Sequence, residues 1–215
     1  MRRLPQAAEG TMAERKNRAT QQELILAVSS RLFWEKGYAE TSMKDIAGVC
    51  GFRPANIYNF FTGKESILFE ILYREMVDIV VPIAHLKDDE SVNPVEALRL
   101  MIENHVKLTL GEKRSSKLLF DVGLNNLSPA NRKKIIRLRD DYDAIGVAIV
   151  RRGKKAGIFA KDVDDKIAVF SIGSIIARSR IWYSPKGKYS VDEIIEFMFR
   201  FALRGLGGGA VFGKR

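Results

Sequence analysis

Cysteine and histidine are scarce in this sequence, and their scarcity excludes several kinds of active site. The single cysteine, Cys50, cannot form an intramolecular disulfide or a cysteine-based metal site. His85 and His105 are the two histidines, and they are too isolated to indicate a metal site or a Cys–His nucleophile. We therefore expect no enzyme, no catalytic residues, no metal and no cofactor.

Long apolar runs are absent as well. No stretch reaches the roughly 20 uninterrupted apolar residues of a membrane span, and the first residues lack the apolar run of a secretory signal. These absences favour a cytoplasmic address without a membrane partner. Sustained two-residue alternation of polarity, which β-strands show, is also missing.

Apolar residues instead recur at helical spacing nearly everywhere, so the chain is predicted to be all-α with about nine helices. The first helix presents Leu24, Ile25, Val28 and Leu32 on one stripe. Polar caps predict the later helix starts, namely Ser42 with Asp45, Thr62 with Glu65, Asn93-Pro94, Ser128-Pro129 and Ser190 with Glu193.

The predicted organisation is a small DNA-binding domain followed by a larger helical domain. A flexible basic leader covers residues 1–19, a three-helix helix-turn-helix domain residues 20–65, a ligand-binding and dimerisation domain residues 66–206, and a flexible tail residues 207–215. The net charge of +10 favours a polyanionic partner, because basic side chains on phosphates release condensed counterions. The charge is spread over the whole chain, so charge alone does not locate the DNA surface.

The helix-turn-helix is predicted between Ser42 and Phe61. A short capped helix ends at Gly51, and Pro54 can open the next helix because its fixed φ suits a first helical position. Such a pair braces the second helix for insertion into the major groove of double-stranded DNA, where each base pair displays a distinguishable pattern.

The surrounding residues resemble the DNA-binding domain of the TetR family over roughly residues 20–72. The resemblance is carried by Leu32-Phe33-Trp34-Glu35-Lys36-Gly37-Tyr38, Asp45-Ile46-Ala47, Gly51, Ile57-Tyr58-Asn59-Phe60-Phe61 and Lys64-Glu65. It implies that the third helix reads bases and that the fourth begins on the DNA backbone. The residues it assigns to DNA are Ser42, Lys44, Arg53, Pro54, Ala55, Asn56, Tyr58, Asn59 and Lys64.

Within that set the resemblance gives Ser42, Tyr58 and Lys64 to phosphates, and it gives the region of Asn56 and Asn59 to the groove. The alternatives are that Ser42 only caps its helix and that both asparagines only face solvent. Two positions depart from the family pattern: Arg53 stands where relatives often carry a small hydroxyl residue, and Phe60 where they often carry histidine. The leader residues Arg15, Lys16 and Arg18 form either a DNA-following arm or a leader without DNA contact.

The C-terminal half carries a second, shorter resemblance. The segments 181–190, 193–194 and 203–206 are similar to TetR regulators that respond to acyl-CoA thioesters. This implies an acyl-CoA or fatty-acid effector, with Arg178 and Trp182 as ligand-binding residues. Arg178 and Arg180 are alternatively explained by an interhelical salt bridge or by side chains that extend to water.

A homodimer is expected, because operator palindromes mirror the two-fold symmetry of their proteins. The interface is predicted on two helices that meet their symmetry mates in a four-helix arrangement; its residues are Ile175, Ile194, Phe197, Met198 and Phe201. The predicted function is a repressor that is released from a palindromic operator by a small molecule and that is associated with the nucleoid when bound to DNA. The alternatives are a helical acyl-ligand-binding protein or enzyme without DNA function, and a DNA-binding activator or architectural protein without an effector.

Overall fold

The computed structural model describes residues 12–111 and 124–208, and the chain divides into two compact units, Met1–Ile71 and Leu72–Arg215. Within the described residues there are eight α-helices and no strand, which confirms the all-α prediction. They are α1 (Met12–Glu35), α2 (Met43–Cys50), α3 (Pro54–Tyr58), α4 (Lys64–Val80), α5 (Pro94–Leu110), α6 (Pro129–Lys155), α7 (Asp165–Trp182) and α8 (Val191–Gly205). There are also two 3-10 segments. Val81–Lys87 directly follows α4, and Leu124–Asn126 precedes α6.

The first unit is built on contacts of α2 with α1 and α3. Its core contains Ile25, Phe33, Ile46 and Ile57, all of which are almost completely buried. Cys50 is buried too, as a core residue, and burial raises the pKa of its thiol. A small apolar core therefore fixes the two short helices against α1.

Helix α1 begins earlier than predicted. Residues 12–19, expected in a flexible leader, are the first two turns of α1, which runs without a break to Glu35. Lys16 and Arg18 are exposed on this helix, and the leader residues before Met12 lie outside the described range. One residue of the predicted apolar stripe of α1 also differs from prediction, because Leu24 is 42% exposed.

Helix α4 begins at Lys64, and its first turn is capped differently from the Thr62–Glu65 box that the sequence predicts. The backbone N–H of Gly63 donates to Ser66 Oγ, which in turn donates to the carbonyl of Gly63. The other predicted caps are confirmed: Asn93 accepts from two amides of α5, and Ser128 and Ser190 accept from the first turns of α6 and α8.

In the second unit α5 is the central helix, with α6, α7 and α8 packed around it. Two glycines of α6, Gly146 and Gly153, allow neighbouring side chains to pack closely against this helix. A Cβ at Gly146 would lie 2.7 Å from Val169 Cγ1, and one at Gly153 would overlap the ring of Phe159. No helix in the described ranges combines the length and the apolar character that a membrane span requires.

Arg152 holds the segment between α4 and α5 in place through hydrogen bonds to its backbone. Its guanidinium donates to the carbonyl of Leu86 at 2.9 Å and also to the carbonyl of Asp89. One side chain on α6 thereby satisfies carbonyls at the end of the 3-10 segment and in the loop before α5, where no following helical N–H group donates to them.

Candidate functional site

The α2–turn–α3 segment has the geometry of a helix-turn-helix. Ser42 caps α2 in a reciprocal box with Asp45, and this hydrogen bonding lowers the pKa of the Asp45 carboxyl. The turn passes through Gly51 at φ +70°, a left-handed conformation that glycine adopts without steric cost. Helix α3 then starts at Pro54 and has only five residues.

Two buried side chains hold α3 in place. Ile57 is fully buried and Phe61, just after the helix, is 6% exposed. The remaining face is open to solvent, with Tyr58 54% exposed. Helix α3 thus offers one anchored face and one free face, as a major-groove reader requires.

All the residues assigned to DNA lie in the first unit, and all but one are exposed. The exposed set is Ser42, Lys44, Arg53, Pro54, Ala55, Asn56, Tyr58 and Asn59. Lys64 is partly buried, because its ammonium donates to the carbonyl of Tyr38 at 2.7 Å and lies 4.5 Å from the centre of the Tyr38 ring. Lys64 therefore fastens the start of α4 to the turn after α1, and a role at phosphate stays a prediction.

Arg18 links the N-terminal part of α1 to the residues that follow α3. Its Nη2 atom donates to the carbonyl of Asn59 at 3.3 Å, and its guanidinium carbon lies 5.5 Å from the centre of the Phe60 ring. Both contacts are exposed, so each is weak by itself. Together they place a positive charge beside Phe60, which is one of the two positions where the sequence departs from the family pattern.

A second candidate site is a cavity of about 760 Å³ within the second unit. This size is typical of pockets for small organic ligands. Its described lining comes from the last turns of α4, from α5, α6 and α7, and from Leu124. The apolar part of the lining is formed by Met76, Ile79, Leu124, Ile136, Val169, Phe170 and Ala177.

The polar part of the lining is divided between buried and exposed side chains. Those that are buried are His105, Thr109, Tyr142 and Arg180, and those that are exposed are Arg139, Asp140 and Ser174. His105 Nδ1 lies 2.7 Å from the hydroxyl oxygen of Tyr142, and Thr109 and Arg180 line the same cavity. Burial and the charge of Arg180 lower the pKa of His105 to about 4, while burial raises the pKa of Tyr142. Both rings are therefore neutral near pH 7.

The predicted ligand residues Arg178 and Trp182 do not line this cavity. Both are exposed on α7, whereas Arg180, two residues after Arg178, is 7% exposed and forms part of the cavity wall. The sequence analysis chose Arg178 rather than Arg180 as the ligand-binding arginine, and it gave both residues the alternative of a salt bridge or of contact with water, whereas it is Arg180 that lines the cavity. It did not find Tyr142 or Thr109, since single polar residues on long amphipathic helices give no local signal.

The predicted dimer face is only partly exposed. Ile175, Phe197 and Phe201 are open to solvent, and the rings of Phe197 and Phe201 are stacked with centres 6.2 Å apart. The prediction is wrong for Ile194 and Met198, which are 4% and 5% exposed and belong to the core of their own unit. Apolar residues cover more than half of the circumference of α8, so the sequence pattern could not separate the inner residues from the outer ones.

Comparison with known proteins identifies the fold and the family together. Residues 25–71 match the family described as "Bacterial regulatory proteins, tetR family", and residues 91–206, more than half of the chain, match "Tetracyclin repressor-like, C-terminal domain". The chain belongs to the TetR family. It is a DNA-binding transcriptional regulator, and the resemblance carried by its N-terminal motifs is confirmed.

Three similar proteins illustrate the family. PfmR of Thermus thermophilus is 34% identical, with 85% of this chain and 98% of PfmR covered and a TM-score of 0.75. The transcriptional repressor KstR2 of Rhodococcus jostii is 24% identical, with 85% of this chain and 89% of KstR2 covered. AibR, solved with isovaleryl coenzyme A and operator DNA, is 24% identical with a TM-score of 0.73, over 84% of this chain and 97% of AibR.

Proposed function

We propose that this TetR-family chain is a homodimeric, non-enzymatic repressor of the cytoplasm that leaves a palindromic operator when an acyl ligand binds. The observation that carries the DNA part is the exposed face of α3, held from behind by buried Ile57. In a dimer, two such helices would enter successive major grooves, which lie about 34–36 Å apart.

The proposed DNA contacts follow from the chemistry of the exposed residues. Tyr58 can donate its phenolic hydrogen to a phosphate, and Arg53 and Lys44 add positive charge. Asn56 and Asn59 can pair with adenine edges in the groove. Pro54 and Ala55 leave room for close approach of the helix start.

The ligand part is an acyl-CoA or a fatty acid. Support comes from the cavity, which is mostly apolar, and from the isovaleryl coenzyme A bound by AibR. Arg178 and Trp182 lie one turn apart on the exposed side of α7. We assign them to the phosphate and adenine groups of a coenzyme A that extends out of the cavity, since a guanidinium pairs with phosphate and an indole stacks on a base.

Helix α4 is the proposed coupling element. It carries Lys64 at its first residue and the cavity residues Met76 and Ile79 in its last turns. Release of DNA requires only that the ligand bind the DNA-free conformer more tightly than the DNA-binding conformer. Each tenfold preference shifts that equilibrium by about 1.4 kcal/mol.

A gel-shift series with genomic fragments tests the proposal. The chain should retain a specific fragment, the retention should weaken with salt, and Tyr58→Ala should abolish it. The matched control is Tyr189→Ala, because Tyr189 is equally exposed at 54% but lies in the second unit. Retention indifferent to sequence would favour an architectural protein, and no retention at all would favour an acyl-binding protein without DNA function.

A further inference from the structure

Three uncharged polar side chains are buried in the wall of the cavity in the second unit. His105 is 8% exposed, Thr109 2% and Tyr142 6%. Burial removes their polar atoms from bulk water, and buried polar atoms normally have a hydrogen-bond partner. Ile136 and Phe170 are exposed members of the same lining, so they mark the opening through which a ligand would reach the three side chains.

The internal hydrogen bonds leave two of these polar atoms available to a ligand. Within the described residues, the one side-chain hydrogen bond of His105 joins Nδ1 to Tyr142, so Nε2 has no partner there. The hydroxyl of Thr109 likewise forms no hydrogen bond with a described residue. Thr109 follows His105 by four residues on α5, so the two side chains lie on the same face, one turn apart.

The His105–Tyr142 pair offers one donor to a ligand in either tautomer of the neutral imidazole. If the Tyr142 hydroxyl donates to Nδ1, the ring proton is on Nε2, and Nε2–H is the remaining donor. If Nδ1–H donates to the hydroxyl oxygen, the phenolic O–H remains. The hydroxyl of Thr109 adds a second donor. Two donors match the two lone pairs of one carbonyl oxygen.

The surroundings of these three side chains favour an uncharged ligand group. Burial lowers the pKa of His105 to about 4, so the imidazole carries no charge near pH 7. Asp143 belongs to the same lining, and burial raises the pKa of its carboxyl, because a carboxylate is poorly solvated there. Arg180 also lines the cavity, but it already has an interaction of its own in the folded chain. A carbonyl therefore fits this part of the wall better than a carboxylate.

We propose that His105, Tyr142 and Thr109 bind the carbonyl oxygen of an acyl thioester, with the apolar lining of the cavity around the acyl chain. The inference rests on the proposed ligand-responsive function and names the part of the effector that the cavity recognises. It selects the thioester over the free fatty acid, because the thioester carbonyl is an uncharged acceptor.

The buried apolar lining accommodates the acyl chain. Met76 and Ile79 are buried on α4, and Val169 and Ala177 are buried on α7. Each methylene that moves from water into such a lining raises the affinity by about fourfold. This gain is common to all ligands of equal chain length, so a pair of ligands that differ only in the carbonyl isolates its contribution.

The test compares acyl-CoA thioesters, from butanoyl-CoA to dodecanoyl-CoA, with S-alkyl-CoA thioethers of equal chain length. A thioether keeps the chain and the coenzyme but lacks the carbonyl oxygen. Calorimetry on the full-length chain should show that the best thioester binds about tenfold or more tightly than its thioether, because the thioether leaves two buried donors without an acceptor.

Variants of the three side chains assign the preference to them. Thr109→Val should weaken the thioester by about two- to tenfold, the effect of one neutral hydrogen bond, and leave the thioether within about twofold. His105→Phe should act in the same direction, and His105→Gln should restore part of the preference, because its amide can donate. Ser179→Ala is the matched control and should leave the preference unchanged, because the Ser179 hydroxyl is buried outside the lining and donates to the carbonyl of Ile176.

Equal binding of thioesters and thioethers by the wild-type chain would overturn the inference, even if the variants failed to fold. So would a preference that neither Thr109→Val nor His105→Phe reduces. Binding of the free fatty acids without binding of any thioester would overturn it as well.

A gel shift with and without ligand separates this inference from the function on which it rests. If the chain retains its operator and thioesters and thioethers release it equally well, the repressor proposal stands and the carbonyl site is wrong. If no operator is found while thioesters bind through His105 and Thr109, the carbonyl site stands and the repressor proposal is wrong.

Discussion

The Nδ1 atom of His105 on α5 lies 2.7 Å from the hydroxyl oxygen of Tyr142 on α6, and the two rings meet edge to face with centres 5.1 Å apart. Both side chains are buried, so this hydrogen bond satisfies two polar groups that water does not reach. It also joins two helices of the cavity wall. The pair thus contributes both to stability and to the shape of the candidate ligand site.

The stability of the protein should depend on pH through His105. Burial, followed by the charge of Arg180, lowers the pKa of His105 to about 4 in the folded chain, against an ordinary value of 6.5 in the unfolded chain. The unfolded state therefore gains protons first as the pH falls. The stabilisation is complete above about pH 6.5 and is lost progressively down to about pH 4.

Urea unfolding at fixed protein concentration measures this effect. The free energy of unfolding should fall by about 2 kcal/mol between about pH 7.5 and about pH 5 through this one group. His105→Gln should remove that part of the pH dependence, because glutamine does not titrate. An equally steep dependence in the variant would show that other groups cause it.

Gly153→Ala should destabilise the second unit. The new Cβ would overlap Cδ2 of Phe159, whose ring is buried, so the ring or α6 must move. Overpacking of this kind costs about 1–3 kcal/mol, and thermal unfolding would report it as a lower Tm.

The control is Gly48→Ala in α2, where a Cβ has no neighbour within 4 Å. That helical glycine should instead gain about 0.5–1 kcal/mol from the lower backbone entropy of alanine. Equal effects of the two substitutions would contradict the close packing at Gly153.

Ser42→Ala should lower the free energy of unfolding by about 1 kcal/mol, because the amide of Asp45 loses its cap. Ser42→Asn should restore most of this stability, since asparagine caps equally well. Chemical unfolding and operator binding are measured on the same two variants. If Ser42→Asn is as stable as the wild type yet binds operator weakly, the hydroxyl itself contacts DNA. If Ser42→Ala is as stable as the wild type, the cap does not contribute to stability.

Arg18→Met should weaken operator binding by about two- to fivefold, the effect of one exposed cation–π contact. The substitution removes the hydrogen bond to the Asn59 carbonyl and the contact with the Phe60 ring, so the end of α3 is held less firmly. Fluorescence anisotropy with labelled operator gives the Kd. Arg31→Met, on the same helix and also exposed, should have no such effect, and a similar loss in both variants would point to general charge instead.

The sequence predicted those features whose physical cause is local. The cap boxes at Ser42 and Ser190 were predictable because cap and partner lie three residues apart. The start of α1 was not predictable, because residues 12–13 and 16–20 are exposed and mostly polar, so they show no apolar periodicity. The inward position of Arg180 was not predictable either, since it depends on which side of α7 meets α5 and α6.

The brevity of α3 has a consequence for attempts to change operator preference by engineering. Five residues are far fewer than an isolated helix needs in water, so a peptide copied from this segment would be a random coil and would read no sequence. A chimera that transfers the operator preference to another scaffold must carry residues 42–61 as one segment. The scaffold must also supply an apolar core in which Ile57 is buried.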